Sequence, residues 1–224
     1  DNTIKEQLKN IFSRLSSDIA LRMSSRPDDI RGAEMLEFLQ DVASTSPRLS
    51  VETEEADTEA PEFGIVKAGT PTGVRFCGIP NGHEFSTLLL AVLNADGLGK
   101  NLPDAALTAR IKALRGPLKL STFVSLTCTN CPDVAQALNV IALLNPQVEH
   151  TVTDGAVVPG VVSELDIKSV PAVYAGDTPV SVGRITLGEL LAKLEKACGT
   201  SQCSDDVAPT VREYDVTVLG GGPA

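Results

Sequence analysis

Residues 118–144 read LKLSTFVSLTCTNCPDVAQALNVIALL, and three elements follow one another within them. Leu118–Val124 has the make-up of a short apolar strand and Pro132–Leu144 that of an amphipathic helix. Cys128-Thr129-Asn130-Cys131 fills the turn between them. A cysteine at a helix N-terminus has its thiolate stabilised by free N–H groups and the helix dipole, which lowers its pKa from about 8.5 towards neutrality or below. Two intervening residues let the second sulfur fold back and close a small disulfide. Pro132 suits the first helical turn, because its missing N–H would have had no partner there. The spacing therefore points to dithiol–disulfide chemistry. The competing reading is half of a structural zinc site completed by Cys198 and Cys203, although zinc cysteines usually sit on knuckle turns instead.

Outward from this stretch, one pattern occurs twice with a period of about 100 residues. The first copy runs through helix Thr3–Leu15, strand Ile19–Met23, helix Arg31–Ala43 and an alternating strand over 46–53. It closes with a hairpin over 63–79, turning at GTPT (69–72), and a helix over His83–Ala95. The second copy runs through helix Ala105–Leu114, the strand and helix quoted above, and an alternating strand over 145–152. A short helix near Val161–Asp166, a hairpin over 171–185 turning at DTP (177–179) and a helix over 186–197 complete it. A parallel β-α-β unit followed by an antiparallel hairpin and a covering helix is the thioredoxin arrangement. The expected fold class is therefore α/β, with two tandem thioredoxin-like (glutaredoxin/thioredoxin) folds. Residues 1–100 form an inactive first repeat, 101–197 a redox-active second, 198–212 a polar linker and 213–224 the start of another domain.

Val170-Pro171 opens the second hairpin, and in thioredoxin-like folds this proline is cis and faces the disulfide. The alternative is a trans proline at a strand edge. The first repeat carries SSRPDDIRG (24–32) where the second has TCTNCPD, so it cannot run dithiol exchange. It can lend an acid–base group instead. Glu84, at the start of its last helix, is a potential proton acceptor, and the plainer reading is a carboxylate that complements the helix dipole. His83 reads as a surface or capping residue and Cys77 as a small buried hydrophobe. Cys198 and Cys203 have nothing nearby in sequence to lower their pKa. The end, YDVTVLGGGPA, runs a strand into Gly220-Gly221-Gly222. Gly220 and Gly222 are where a dinucleotide pyrophosphate could approach a helix N-terminus, but the helix and the distal acidic residue of such a unit do not follow.

Composition sets limits on partners. Among 224 residues, 29 Asp and Glu against 19 Lys and Arg give a net charge of −10, which argues against nucleic acid or an anionic membrane as a partner. The longest fully apolar run, Leu88–Leu93, is too short to span a bilayer. Val51–Glu62 carries six carboxylates and reads as a solvated strand end and loop. Five cysteines are too few and too odd for a disulfide scaffold, and suit a reducing cytoplasm with one reactive pair.

The segments SLTCTNCPDVAQALN, NPQVEH, SVPAVY, FCGIPNGHEFSTLLLAVLN and EYDVTVLGGGPA together resemble the N-terminal part of the alkyl hydroperoxide reductase flavoproteins, the F component of that reductase. The resemblance covers nearly the whole chain. It implies two fused thioredoxin-like folds with only the second redox-active, then a linker to a module that binds FAD and NADH. It also implies that Cys128 is the nucleophile, Cys131 the resolving thiol, Pro171 the cis proline and Glu84 a cleft carboxylate. The implied partners are a two-cysteine peroxiredoxin, the C component of the reductase, and the chain's own flavoprotein module. The chain stops within the glycine turn, so a fragment is expected, with no cofactor of its own and no activity with NADH alone. A general protein disulfide oxidoreductase, and a binding module in which no electrons move, are the readings that compete with this one.

Overall fold

The computed structural model describes residues 2–198. In chain order the elements are α1 (Asn2–Phe12), β1 (Ile19–Ser25), α2 (Ile30–Ala43), β2 (Leu49–Glu55), β3 (Glu62–Lys67) and β4 (Thr70–Cys77). A 3-10 turn, Gly82–Glu84, leads into α3 (Phe85–Ala95). The second half has α4 (Ala105–Ala113), β5 (Leu118–Val124), α5 (Cys131–Leu144), β6 (Val148–Asp154), α6 (Pro159–Glu164), β7 (Ala172–Ala175), β8 (Thr178–Val182) and α7 (Leu187–Cys198).

The eight strands among the described residues form one sheet in the order β2-β1-β3-β4-β6-β5-β7-β8. The second four repeat the pairing of the first: β1 is parallel to β2 and antiparallel to β3, as β5 is parallel to β6 and antiparallel to β7. Each half thus has the thioredoxin-like topology read from the sequence. The sequence did not reveal how the halves join. β4 pairs in parallel with β6 from Val74↔His150 to Cys77↔Thr153, so the two sheets are continuous.

Alternation along the strands gives the sheet two unlike faces. Leu21, Met23, Phe63, Ile65, Val74, Phe76, Leu120 and Val152 share one core with Met35, Leu39, Leu88, Leu138 and Leu191 of the helices. The other face is largely polar. There Arg22 pairs with Glu52 at 2.7 Å and Arg75 pairs with Glu62. Its far end is covered, where Phe123, Ala172 and Tyr174 pack with Val158 and Ala60. Val51–Glu55 belongs to β2, with residues 52–55 exposed, so the acidic stretch is a solvated strand end as its composition suggested.

Several boundaries differ from the sequence reading. The first hairpin turns at Ala68-Gly69, not at GTPT: Lys67 pairs directly with Thr70, and both turn residues have positive φ, 46° and 81°. A two-residue turn of this kind matches the right-handed twist of the strands, so Thr70 and Pro71 are drawn into β4. The second hairpin is equally tight, with Ala175 paired to Thr178. Helix α1 ends at Phe12, and α6 begins at Pro159, in the first helical turn where proline is well suited.

Phe76 lies on the paired part of β4, its ring 5.1 Å from that of Phe63. Phe76→Ala should cost about 3–5 kcal/mol. Denaturant unfolding should remain a single transition, because the halves share one sheet. Two transitions, with only one displaced by the substitution, would show that the β4–β6 junction does not couple them.

Candidate active site

Cys128 and Cys131 are joined in a disulfide, with Cα atoms 5.5 Å apart. Cys131 is the first residue of α5 and fully buried, while Cys128 lies on the preceding turn and is half-buried. The turn is closed by the Cys128 N–H donating to Ser125 O at 2.9 Å. Of the two sulfurs, only that of Cys128 belongs to a residue open to an incoming group. Its Sγ lies 4.0 Å from the Val170 carbonyl oxygen, and the Val170–Pro171 peptide bond is cis. The strand-opening segment and the redox turn are therefore neighbours in space, 42 residues apart in sequence.

Glu84 comes from the other half. It is 1% exposed, and neither carboxylate oxygen has a hydrogen-bond partner in good geometry. Burial pushes its pKa up to about 7, opposed in part by the Thr87 hydroxyl. The 3-10 turn that carries it packs against α5. Glu84 and Leu126, from the loop before Cys128, line one small cavity of about 10 Å³ together with Gly78 and Asp154. That volume is at the lower limit for a single water molecule, so bulk solvent does not stabilise the charge. Glu84 also stands at the N-cap position of α3, where a carboxylate complements the helix dipole. His83 is exposed, as a surface residue should be.

The first half's counterpart of the redox turn has become a brace. Asp29 caps α2 by accepting from Arg31 N–H at 3.0 Å, and its carboxylate also binds the Arg31 guanidinium. That guanidinium reaches Glu59 O at 2.8 Å and, in the second half, Val157 O at 3.2 Å. Cys77 is partly buried, with its thiol pushed up to about 12 by burial and then by Glu62 and Glu59, which makes it a poor nucleophile. Burial also raises the Cys198 thiol, at the end of α7. Cys203, Gly220 and Gly222 lie outside the described residues, as does most of the expected linker. Among the described residues, no group of three or more His, Cys, Asp and Glu could hold a metal ion.

One buried polar network escaped the sequence reading. His150 is fully buried on β6, with Nε2 2.8 Å from Thr122 Oγ1 and Nδ1 2.7 Å from Asn139 Oδ1. The Asn139 oxygen can only accept, so Nδ1 carries the proton and Nε2 accepts from the Thr122 hydroxyl. Burial lowers the His150 pKa to about 3. A signal was available: His150 alternates in phase with Val148 and Val152, which both face the core.

The two buried groups give stability opposite pH dependences. Between pH 3 and 6.5 the unfolded chain takes up a proton that folded His150 refuses, so its contribution falls as pH drops through that window. Between pH 4.5 and about 7, folded Glu84 keeps a proton that the unfolded chain has released, so its contribution falls as pH rises. Glu84→Gln should therefore match the wild type in urea unfolding near pH 4 and exceed it by on the order of 3 kcal/mol at pH 8. Equal stabilities at both pH values would mean that Glu84 is solvated.

Comparison with known proteins places this geometry among relatives. A thioredoxin domain model matches residues 119–196. The chain is 39% identical over 224 residues to a Bacillus subtilis protein named NADH dehydrogenase, and 36% identical over 225 residues to the F component of alkyl hydroperoxide reductase from Pseudomonas aeruginosa. Each match takes in all of this chain but only 42% of the relative. Among solved structures, the NTD_N/C domain of alkylhydroperoxide reductase AhpF from Enterococcus faecalis superposes with a TM-score of 0.79 at 34% identity. That alignment covers 87% of this chain and 99% of the other.

Proposed function

The chain belongs to the AhpF family, the F component of alkyl hydroperoxide reductase, matching its N-terminal thioredoxin-like part, and on that premise we propose that it carries electrons by thiol–disulfide exchange to a peroxide-reducing, two-cysteine peroxiredoxin. The observation that carries this reading is the Cys128–Cys131 pair, with one sulfur on a half-buried residue beside Val170 and the other at the buried start of α5. With the pair reduced, the Cys128 thiolate attacks one sulfur of the partner's disulfide. The partner's S–S bond breaks, one partner thiol leaves, and a mixed disulfide remains on Cys128. The Cys131 thiolate then attacks the Cys128 sulfur, releasing the second partner thiol and closing the Cys128–Cys131 disulfide. Two electrons have moved to the partner, and its disulfide has become two thiols.

Cys131 must lose its proton inside the fold, out of reach of bulk water. Glu84 is the group proposed to take it, since a carboxyl with a pKa of about 7 can both accept and return a proton near neutral pH. Pro171 is proposed to shape the surface beside Cys128 against which a partner's extended backbone lies.

The oxidised pair needs a source of electrons. The chain spans 42% of the length of the two relatives, and one of them is named NADH dehydrogenase. These facts support an NADH-dependent flavoprotein module that binds FAD, reached through the 198–212 linker, as the electron donor. Gly220 and Gly222 would open its nucleotide-binding turn. The reaction is assigned to the cytoplasm, where thiols are kept reduced. Among the described residues, no helix is long and apolar enough to cross a membrane.

The test uses the pre-reduced chain mixed with an oxidised two-cysteine peroxiredoxin, with insulin as a general disulfide substrate. Peroxiredoxin reduction should be fast and saturable, and insulin reduction slow. Cys128→Ser should abolish transfer, whereas Cys131→Ser should accumulate a covalent adduct visible on a non-reducing gel. Comparable rates on both substrates would instead indicate a general disulfide oxidoreductase, and undiminished transfer by Cys128→Ser would rule out the proposed nucleophile.

A further inference from the structure

The contact between the turn that carries Glu84 and the loop that carries Cys128 is made by backbone, and one glycine makes it possible. Gly82 has φ +56°, in the left-handed region where side chains are disfavoured. A Cβ at that position would overlap Leu126 O outright and come within 3.3 Å of the Leu126 carbonyl carbon. Backbone atoms cannot swing aside as the end of a flexible side chain can. In the space that glycine leaves, the His83 N–H donates to Leu126 O at 3.1 Å. Leu126 lies inside the turn closed by Cys128 N–H to Ser125 O, so its carbonyl belongs to the element that presents the nucleophile. It also walls the cavity that keeps water from Glu84. The two halves of the chain therefore meet, backbone to backbone, close in sequence to Glu84 on one side and to Cys128 on the other.

We propose that Gly82 is a positioning residue: its missing side chain lets the Glu84 turn seat on the Leu126 carbonyl, which holds the Glu84 carboxyl beside the loop that carries Cys128 and seals it from solvent. This inference rests on the reading of Glu84 as the proton acceptor. A methyl group at Gly82 must push the two turns apart, break the hydrogen bond from His83, and open the cavity wall.

The test is the pH dependence of peroxiredoxin reduction by the pre-reduced full chain. Gly82→Ala should move the midpoint attributed to Glu84 downwards by at least half a pH unit, as water reaches the carboxyl, and slow transfer at least tenfold at neutral pH. Gly97→Ala is the control for backbone strain alone. Gly97 also has positive φ, 74°, but a Cβ there would meet nothing within 4 Å, so this variant should lose stability and keep the wild-type pH midpoint. If Gly82→Ala keeps that midpoint while Glu84→Gln abolishes it, the seat is not what positions Glu84, and the proposal is overturned although the reading of Glu84 stands. If Glu84→Gln leaves the profile unchanged, that reading falls and takes the proposal with it. Should Gly82→Ala not fold, hydrogen exchange in the wild type decides: the His83 amide should exchange at least tenfold more slowly than an unstructured histidine amide, and an unprotected amide would overturn the proposal.

Discussion

The parallel pairing of β4 with β6 is the constraint on which the rest of the structure depends. Because β6 is also parallel to β5, the C-terminal ends of three strands, Cys77, Asp154 and Val124, lie along one border of the sheet. The segments leaving two of those ends are thereby brought together: Gly78–Glu84 from β4, and Ser125–Cys128 from β5. Groups that follow parallel strands gather at their carboxyl ends, a common place for functional sites in α/β folds. A slip of the β4–β6 register by one residue would turn Val74 and Phe76 away from the core and carry the Glu84 turn off the redox loop.

That pairing also explains why a carboxyl can be buried with no partner. Leaving a polar group unsatisfied costs on the order of 1–3 kcal/mol, and a shared, well-packed core can absorb that cost where a small isolated unit could not. Glu84 is buried, and burial keeps it protonated up to about neutral pH, opposed in part by the Thr87 hydroxyl. His150 is buried too, and burial holds it neutral, with a hydrogen-bond partner at each ring nitrogen. One buried group is thus satisfied and inert, and the other is unsatisfied and free to change its protonation state.

The halves share a topology and have diverged in what occupies the start of the first crossover helix. In the second half a disulfide sits there. In the first half an Asp29–Arg31 pair sits there, tying α2 to Glu59 and across to Val157. With no thiol at that turn, the first half carries a brace there and a buried carboxyl, Glu84, elsewhere.

Most of the topology was legible because it is written in local periodicity. Two rounds of helix, strand, helix, strand, hairpin and helix follow from alternation and helical spacing, and the C-x-x-C at a strand-to-helix turn marks its own chemistry. The hairpin turns were misplaced because Thr70 and Pro71 look like turn residues, while pairing geometry favours the two-residue turn at Ala68-Gly69. What the sequence by itself determined was the thioredoxin-like element order and the reactive cysteine pair, since both depend on residues a few positions apart. Only the tertiary structure decided that the sheets fuse through β4 and β6, that His150 is held between Thr122 and Asn139, and that Glu84 is buried beside the redox loop. Each of these joins residues from distant parts of the chain, and whether a carboxyl is solvated or sealed depends on surroundings that no local spacing specifies.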